Sequence, residues 1–413
     1  MTDLDITFRR EWPRILSSVV RFAGDLQRAE DAVQEAFARA AATPPGSLHN
    51  PASWITTTAK RIVVDDQRRQ SAFVRNLGRL AADAAERHDA AQLHESRTAD
   101  SIDDDRLELL FMVSHPSLTE ESRLALALRA VCGVSTAEIA TLFFLKEATM
   151  AARLTRAKQR IQSAGIRLQR PDAADRAERL DDVLSLIYLL YTTGHTAAAA
   201  DGIGAVTTTQ AAIALGRSVV ALVPRHLEAR GVLALMLLTQ ARSAGRVDTA
   251  GNVIDLESAD RSVWDTALSE EGIELATIAL AGRGRFALEA GISGLHSQAA
   301  RWEDTDWVAI ASLYDALART WPSPGVQLGR VVARSYLPDV GPAQALIELD
   351  AHSLPPGRRI DGQLAAVRGD LLRRSERWRE AVAEYRHAID CEANGAVRAF
   401  LRGRISSMEQ GPR

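Results

Sequence analysis

The sequence predicts an all-α protein, on three observations. Ala, Leu and Arg dominate while aromatic residues make up 5% of the 413 positions. Apolar residues recur at steps of three and four along most of the chain, the helical period. Gly and Pro gather in short breaks between these stretches, as helix ends require. At roughly 150 residues per domain, the length corresponds to two or three domains.

The elements follow in order. Phe8, Trp12, Ile15, Leu16 and Val19 form the apolar stripe of a first helix. Gly24-Asp25 ends it and caps a second, about 26–42, which turns Leu26, Ala29, Val33, Ala36, Phe37 and Ala40 inward before Thr43-Pro44-Pro45-Gly46 stops it. Asn50-Pro51, a cap residue followed by proline at the first helical position, opens a third helix to about Arg69. Residues 71–105, rich in Ala, Asp, Glu, His and Arg and closing on Asp103-Asp104-Asp105, read as a partly helical linker. Periodicity returns at Leu107–Val113, and Ser117-Leu118-Thr119-Glu120 opens a helix that Cys132-Gly133 breaks. Ser135 and Glu138 form a capping box for a short helix through Leu142. A four-residue turn near 143–146 leads into a longer helix, about 147–163, and two helices joined so tightly match a helix-turn-helix.

From Pro171 to the last residue the texture is amphipathic helix, with breaks at Gly194, Pro224, Gly245, Gly282-Arg283-Gly284, Pro322-Ser323-Pro324, Gly341-Pro342 and Pro355-Pro356-Gly357. Helix pairs between such breaks point to stacked hairpins. In the last pair Trp378, Ala381, Tyr385 and Ala388 share a face and 396–405 returns, a pattern similar to a tetratricopeptide (TPR) repeat. The spacing of the breaks is not constant, so a degenerate TPR-like helical array is the expected form.

Fifty basic against fifty-three acidic residues give a net charge of −3, which excludes a uniformly basic nucleic-acid coat. Local counts differ. Between Trp54 and Arg79 six basic residues face two acidic ones, and between Leu142 and Arg170 seven face one. In the second patch Met150, Leu154, Ala157 and Ile161 make an inward stripe beside a parallel stripe of Thr149, Arg153, Arg156 and Arg160, suited to phosphates and base edges. The second helix carries the opposite sign, with Glu30, Asp31 and Glu35, together with Gln34, read as its outer face.

Enzymatic constellations are missing. Cys132 and Cys391 form neither a disulfide framework nor a metal cluster, and fit a reducing cytoplasm. The nine histidines lack His-x-x-x-His spacing, and there is no phosphate-binding glycine loop. Asp304 and Asp306 read as helix caps ahead of Trp307. Trp264, Trp302, Trp307 and Trp321 read as packing residues of the array, and Trp54 as a core residue before a base-stacking one. No apolar stretch approaches the ~20 residues of a membrane span, and the acidic start lacks a secretory layout. No catalysis, no cofactor and no metal are expected.

Gly24-Asp25, Ala29 through Phe37, Asn50-Pro51-Ala52-Ser53-Trp54-Ile55 and Val64 through Arg69 resemble region 2 of an extracytoplasmic-function (ECF) sigma factor of the sigma-70 family. Ser135 through Ala140, Glu147-Ala148-Thr149-Met150 and Arg153 through Lys158 resemble region 4. Arg179-Leu180 through Leu190-Tyr191, Trp264-Asp265, Glu303 through Trp307 and the final hairpin are similar to the ECF subgroup with a long C-terminal TPR-like extension. The implied organisation is region 2 in 1–70, a linker in 71–105, region 4 in 106–170 and the extension in 171–413.

The resemblance implies a sigma subunit that recognises and melts promoters. Its partners would be core RNA polymerase, through the β′ clamp helices and the β flap, and promoter DNA. Glu30, Asp31, Val33, Gln34, Glu35 and Phe37 would meet the clamp helices. Asn50, Trp54, Lys60, Arg61, Asp65, Gln67, Arg68 and Arg69 would open and read the −10 element. Lys146, Glu147, Thr149, Arg153 and Arg156 would enter the major groove at the −35 element, with Lys158 and Arg160 on phosphates. Two departures stand out. Phe144 and Lys146 occupy turn positions where the family commonly has small residues or proline, and only His115-Pro116 remains of a Cys-Cys-His-Pro run, so His115 reads as structural. The extension would regulate the factor in place of a separate anti-sigma protein. A small YCII-like (DGPF) protein, often encoded beside such factors, is a candidate partner. The competing reading is a helix-turn-helix activator with a helical sensor domain that works without replacing the sigma subunit.

Overall fold

A computed structural model describes residues 3–44, 48–78, 102–143, 145–166, 173–198, 203–246, 248, 253–351, 355, 357–392 and 394–409. Eighteen α-helices and no β-strand are found among them. The chain divides into two compact units, 1–219 and 220–413.

The first unit begins with three helices, α1 (Asp3–Ala23), α2 (Leu26–Ala41) and α3 (Pro51–Gly78), which pack on one another. Gly24 takes φ +69°, the left-handed conformation that ends α1, and the Asp25 carboxylate accepts from the Arg28 amide at 2.6 Å to start α2. Asn50 caps α3 by accepting from the Ser53 amide. Trp12, Ile15, Leu16 and Val19 of α1, Val33, Ala36 and Phe37 of α2, and Ile55, Ala59 and Val63 of α3 are buried.

Next come α4 (Ile102–Val113), α5 (Glu120–Ala130), α6 (Thr136–Leu142), α7 (Glu147–Ser163), α8 (Ala173–Ala198) and α9 (Ile203–Leu222). Helix α3 continues past Arg69 to Gly78 and α4 starts at Ile102, so both run into the segment read as linker. Asp105 is a buried helical residue, because the Arg21 guanidinium reaches it at 2.8 Å and Glu108 at 2.7 Å, pinning α4 to α1. His115 accepts from the Ser117 amide and orders the turn before α5. Helix α8 packs on α4 and α5, with Arg123 bonded to Asp182 at 3.2 Å. The first unit therefore runs past residue 170. Gly194, read as a turn, lies buried inside α8; burial there outweighs the modest helix penalty of glycine.

The second unit contains α10 (Leu227–Ala241), α11 (Thr266–Ala279), α12 (Arg285–Gln298), α13 (Trp307–Thr320), α14 (Pro324–Arg334), α15 (Gly341–Ala351), α16 (Arg358–Arg374), α17 (Trp378–Cys391) and α18 (Gly395–Glu409). Successive helices pack as hairpins. Where α10 crosses α12 the approach is close enough that a Cβ on Gly231 would lie 2.6 Å from the Ala287 amide nitrogen. The Glu228 carboxylate accepts from the amides of Phe286 and Ala287, neutralising the start of α12. Asp306 caps α13 as expected, whereas Asp304 pairs with Arg301. The segment before α11 adds a contact that a simple hairpin stack lacks, since Asp255 pairs with Arg404 of α18.

Candidate nucleic-acid interface

The Ser135 and Glu138 side chains cap each other's backbone amides and start α6. Ile139 and Ala140 of α6 and Met150, Leu154, Ala157 and Ile161 of α7 turn inward. This turns the opposite face of α7 to solvent, where Lys146, Glu147, Thr149, Arg156 and Arg160 are exposed. Lys146 is the N-cap and makes no side-chain cap bond, which leaves an ammonium beside the positive end of the helix dipole. Arg153 is drawn back, bonded to Glu121 of α5 at 2.7 Å and 5.9 Å from the Phe143 ring centre. Phe144 lies outside the described residues.

A groove of about 820 Å³ runs between α1 and α3, lined by Glu11, Arg14, Phe22, Lys60, Arg61 and Arg68 among others. A cleft of about 360 Å³ adjoins it at the start of α3. Asn50, Ser53, Thr57 and Arg61 line both. Asp65 lines the groove, and Trp54 lines the cleft half-buried and thus not fully in the core. Gln67 and Arg69 are exposed farther along α3. Uncharged hydroxyl and amide groups flanked by cations suit an unstacked nucleotide strand, whose bases need hydrogen bonds and whose phosphates need positive charge.

The acidic face of α2 divides. Asp31, Gln34 and Glu35 are exposed, with Glu35 joined to Arg39 at 3.0 Å. Val33 and Phe37 are core residues, Phe37 lying 6.1 Å from Trp12 between ring centres. Glu30 is not on the outer face; it is 4% exposed. One Glu30 oxygen is 2.6 Å from Arg129 Nε of α5 and the other 2.8 Å from Lys158 Nζ of α7. Burial by itself would raise the Glu30 pKa; the charges of Lys158 and Arg129 outweigh it and hold the carboxyl below its ordinary range. Lys158, expected on phosphates, is 8% exposed for the same reason.

Sequence reasoning missed Arg129, whose backbone oxygen accepts from the Trp12 indole at 3.1 Å and whose guanidinium lies 4.9 Å from that ring. It also missed Glu11, Arg14 and Phe22. These fall at steps of three and eight on the side of α1 away from Trp12 and Leu16, two charges and an exposed ring whose shared face could have marked the groove.

In the second unit His296, Trp302, Trp307 and Tyr336 form one aromatic cluster, with Trp307 stacked on Tyr336 at 4.0 Å. It borders a cavity of about 230 Å³. Burial, then Arg242 and Arg261, lower the His296 pKa to about 4, so its ring is neutral at pH 7. Trp264 is buried, whereas Trp321 is 45% exposed against Arg285 and is not a core residue. No helix among the described residues is long and apolar enough to cross a membrane.

Comparison with known proteins places three family models on the chain. Sigma-70 region 2 matches residues 7–73, Sigma-70 region 4 matches 110–161, and a family of unknown function (DUF6596) matches 179–280. An uncharacterized protein, R00370, of Rhizobium meliloti (strain 1021) is 36% identical over 427 residues, covering 100% of this chain and 98% of its own length. The ECF RNA polymerase sigma factor SigL of Mycobacterium tuberculosis (strain ATCC 25618 / H37Rv) is 32% identical over 138 residues, 33% of this chain and 73% of SigL. The probable ECF RNA polymerase sigma factor SigI of the same strain is 28% identical over 148 residues, 35% of this chain and 50% of SigI. No solved structure matches.

Proposed function

Because the chain belongs to the sigma-70 family, we propose that it is a dissociable RNA polymerase subunit of the ECF kind, reading a −10 element with its first three helices and a −35 element with α7. One observation carries this reading: a single unit combines two separate cationic faces, the α1–α3 groove and the exposed side of α7. A duplex-reading activator needs only the second. The first, with hydroxyls and amides among cations, suits bases flipped from a melted strand.

In this proposal Arg14, Asn50, Trp54, Lys60, Arg61, Asp65 and Arg68 handle the opened strand, while Gln67 and Arg69 follow its backbone. Lys146, Thr149 and Arg156 address base edges, and Arg160 a phosphate. Asp31, Gln34 and Glu35 are the exposed part of the clamp-binding face, and region 4 also meets the β flap. The protein performs no catalysis of its own and works in the cytoplasm. The second unit regulates the first, with a YCII/DGPF-like protein as its candidate partner.

Run-off transcription with core polymerase on promoters mapped by overexpression tests the reading. Transcripts above those of core enzyme alone are expected. Specific DNA binding without polymerase and without new transcripts would favour the activator instead. A chain ending near residue 222 tests the regulatory role, since ending at residue 169 would strip α8 from α4 and α5. Altered promoter output or core affinity is expected, and unchanged values of both would remove that role.

A further inference from the structure

We propose that the second unit holds a binding site for a small, uncharged, two-ring aromatic molecule bearing one hydrogen-bonding group, in the cavity beside His296, Trp302 and Trp307. The site lies wholly within residues 220–413 and stands apart from the sigma-factor reading.

Stretches distant in sequence build it. Leu256 comes from the segment before α11, His296 from α12, Trp307 and Tyr314 from α13, Val332 from α14 and Val367 from α16. Two ion pairs pin the segment that carries Leu256. Asp255 pairs with Arg404 of α18, and Glu257 lies 3.8 Å from Arg373 of α16. On α14, a Cβ at Gly329 would come within 2.7 Å of the Tyr314 ring, so the missing side chain lets that ring lie close against the helix.

The walls select the ligand. Protein interiors leave few gaps larger than a water molecule. An apolar cavity of about 150 Å³ takes benzene, and one of about 230 Å³ has room for two fused rings. Leu256, Trp302, Trp307 and Val367 are only half-buried, so apolar surface remains for a flat molecule to cover. None of the described residues lining the cavity is a carboxylate, a lysine or an arginine. Behind the wall, the Arg261 guanidinium donates to the His296 carbonyl at 2.7 Å, and its charge together with that of Arg242 disfavours a cation. An anion would lose its water between apolar walls without gaining an ion pair there.

One polar atom calls for a partner. His296 Nδ1 is buried without a hydrogen bond, whereas buried polar atoms are almost always paired. Its ring is fixed by packing, parallel to Trp302 at 6.0 Å and edge-on to Trp307 at 5.4 Å between ring centres. Being neutral at pH 7, it donates or accepts at Nδ1 according to its tautomer. A ligand in the cavity can supply the missing bond through an N–H, an O–H or a ring nitrogen.

Isothermal titration calorimetry and saturation-transfer NMR on the full chain near neutral pH test the site with indole, quinoline, N-methylindole and N-methylquinolinium. Indole, a donor, or quinoline, an acceptor, should bind with a Kd of about 1 mM or tighter. N-methylindole, which has lost the polar hydrogen, should bind roughly three- to tenfold more weakly than the better of the two, and N-methylquinolinium should not bind. His296→Phe should remove the preference over N-methylindole and keep the ring binding. Val332→Trp and, from the other wall, Leu256→Trp should fill the cavity and abolish binding, with circular dichroism showing that each is folded. No binding of either neutral probe, or binding that survives both filled and folded variants, overturns the site. Equal binding of N-methylindole and the better probe overturns the part given to His296, and tight N-methylquinolinium binding overturns the uncharged ligand class. None of these measurements involves polymerase, so the sigma-factor reading stands or falls separately.

Discussion

The two units hold their helices together by different means. In the first, buried charges join helices distant in sequence, beside the Trp12–Arg129 hydrogen bond: Arg21 joins α1 to Asp105 and Glu108, and Glu30 joins α2 to Arg129 and Lys158. The second also has a distant ion pair, Asp255–Arg404, and adds missing side chains and packed rings, with Gly231 against the start of α12 and Trp302 edge-on to Trp307 and Tyr336. Ions tolerate separation because water replaces each lost partner. Glycine-tight crossings and ring stacks do not, since opening them exposes apolar surface with no substitute partner.

The sharpest way to break this comparison is Gly231→Val. Its Cβ would overlap the backbone of Phe286 and Ala287, which has no rotamer to yield, so a loss of about 3 kcal/mol or more is expected. Thermal unfolding should show a lower transition for the second unit, while the promoter binding proposed for α7 persists in the cold. Trp307→Ala removes a half-buried ring stacked on Tyr336 and should destabilise the same transition by about 2–3 kcal/mol.

Arg156→Ala on the exposed face of α7 should weaken −35 binding by about 1–3 kcal/mol, measured by fluorescence anisotropy. Arg153→Ala should lose less than Arg156→Ala, because Arg153 is already held by Glu121. The opposite order would mean that Arg153 leaves Glu121 to read a base.

Acid provides the gentlest separation of the units. His296 has a lowered folded pKa, so the unfolded state takes up its proton first as pH falls. Its contribution is complete above the unfolded pKa near 6.5 and is lost towards pH 4, on the order of 2 kcal/mol. Glu30 is also lowered, and as an acid its contribution is complete above its ordinary value of 4.5 and is lost below that. A pH series should therefore weaken the second unit from about pH 6.5 downward and release Glu30 only under more acidic conditions. His296→Phe should flatten the first window and leave the second in place.

Local chemistry made much of the fold legible. Asp25, Asn50, the Ser135–Glu138 box and Asp306 act within three residues of their own position, so their roles follow from spacing alone. The Glu30–Arg129–Lys158 cluster was harder to read, although a signal existed. Glu30 stands four after Leu26 and three before Val33, and Lys158 four after Leu154 and three before Ile161. Each charge thus lies on the apolar stripe of its helix, where spacing implies burial and residue type implies exposure. Spacing prevailed because each charge found the other.

The sequence by itself determined the helices, their caps, the sigma-70 segments and the surplus of positive charge along α3 and α7, all of which depend on neighbours a few residues apart. Tertiary structure alone decided which charges remain outside. Glu30 and Lys158 are 128 residues apart, and Asp255 and Arg404 are 149 apart. No periodicity encodes such pairs, because a buried charge is stable only where folding delivers its counter-charge.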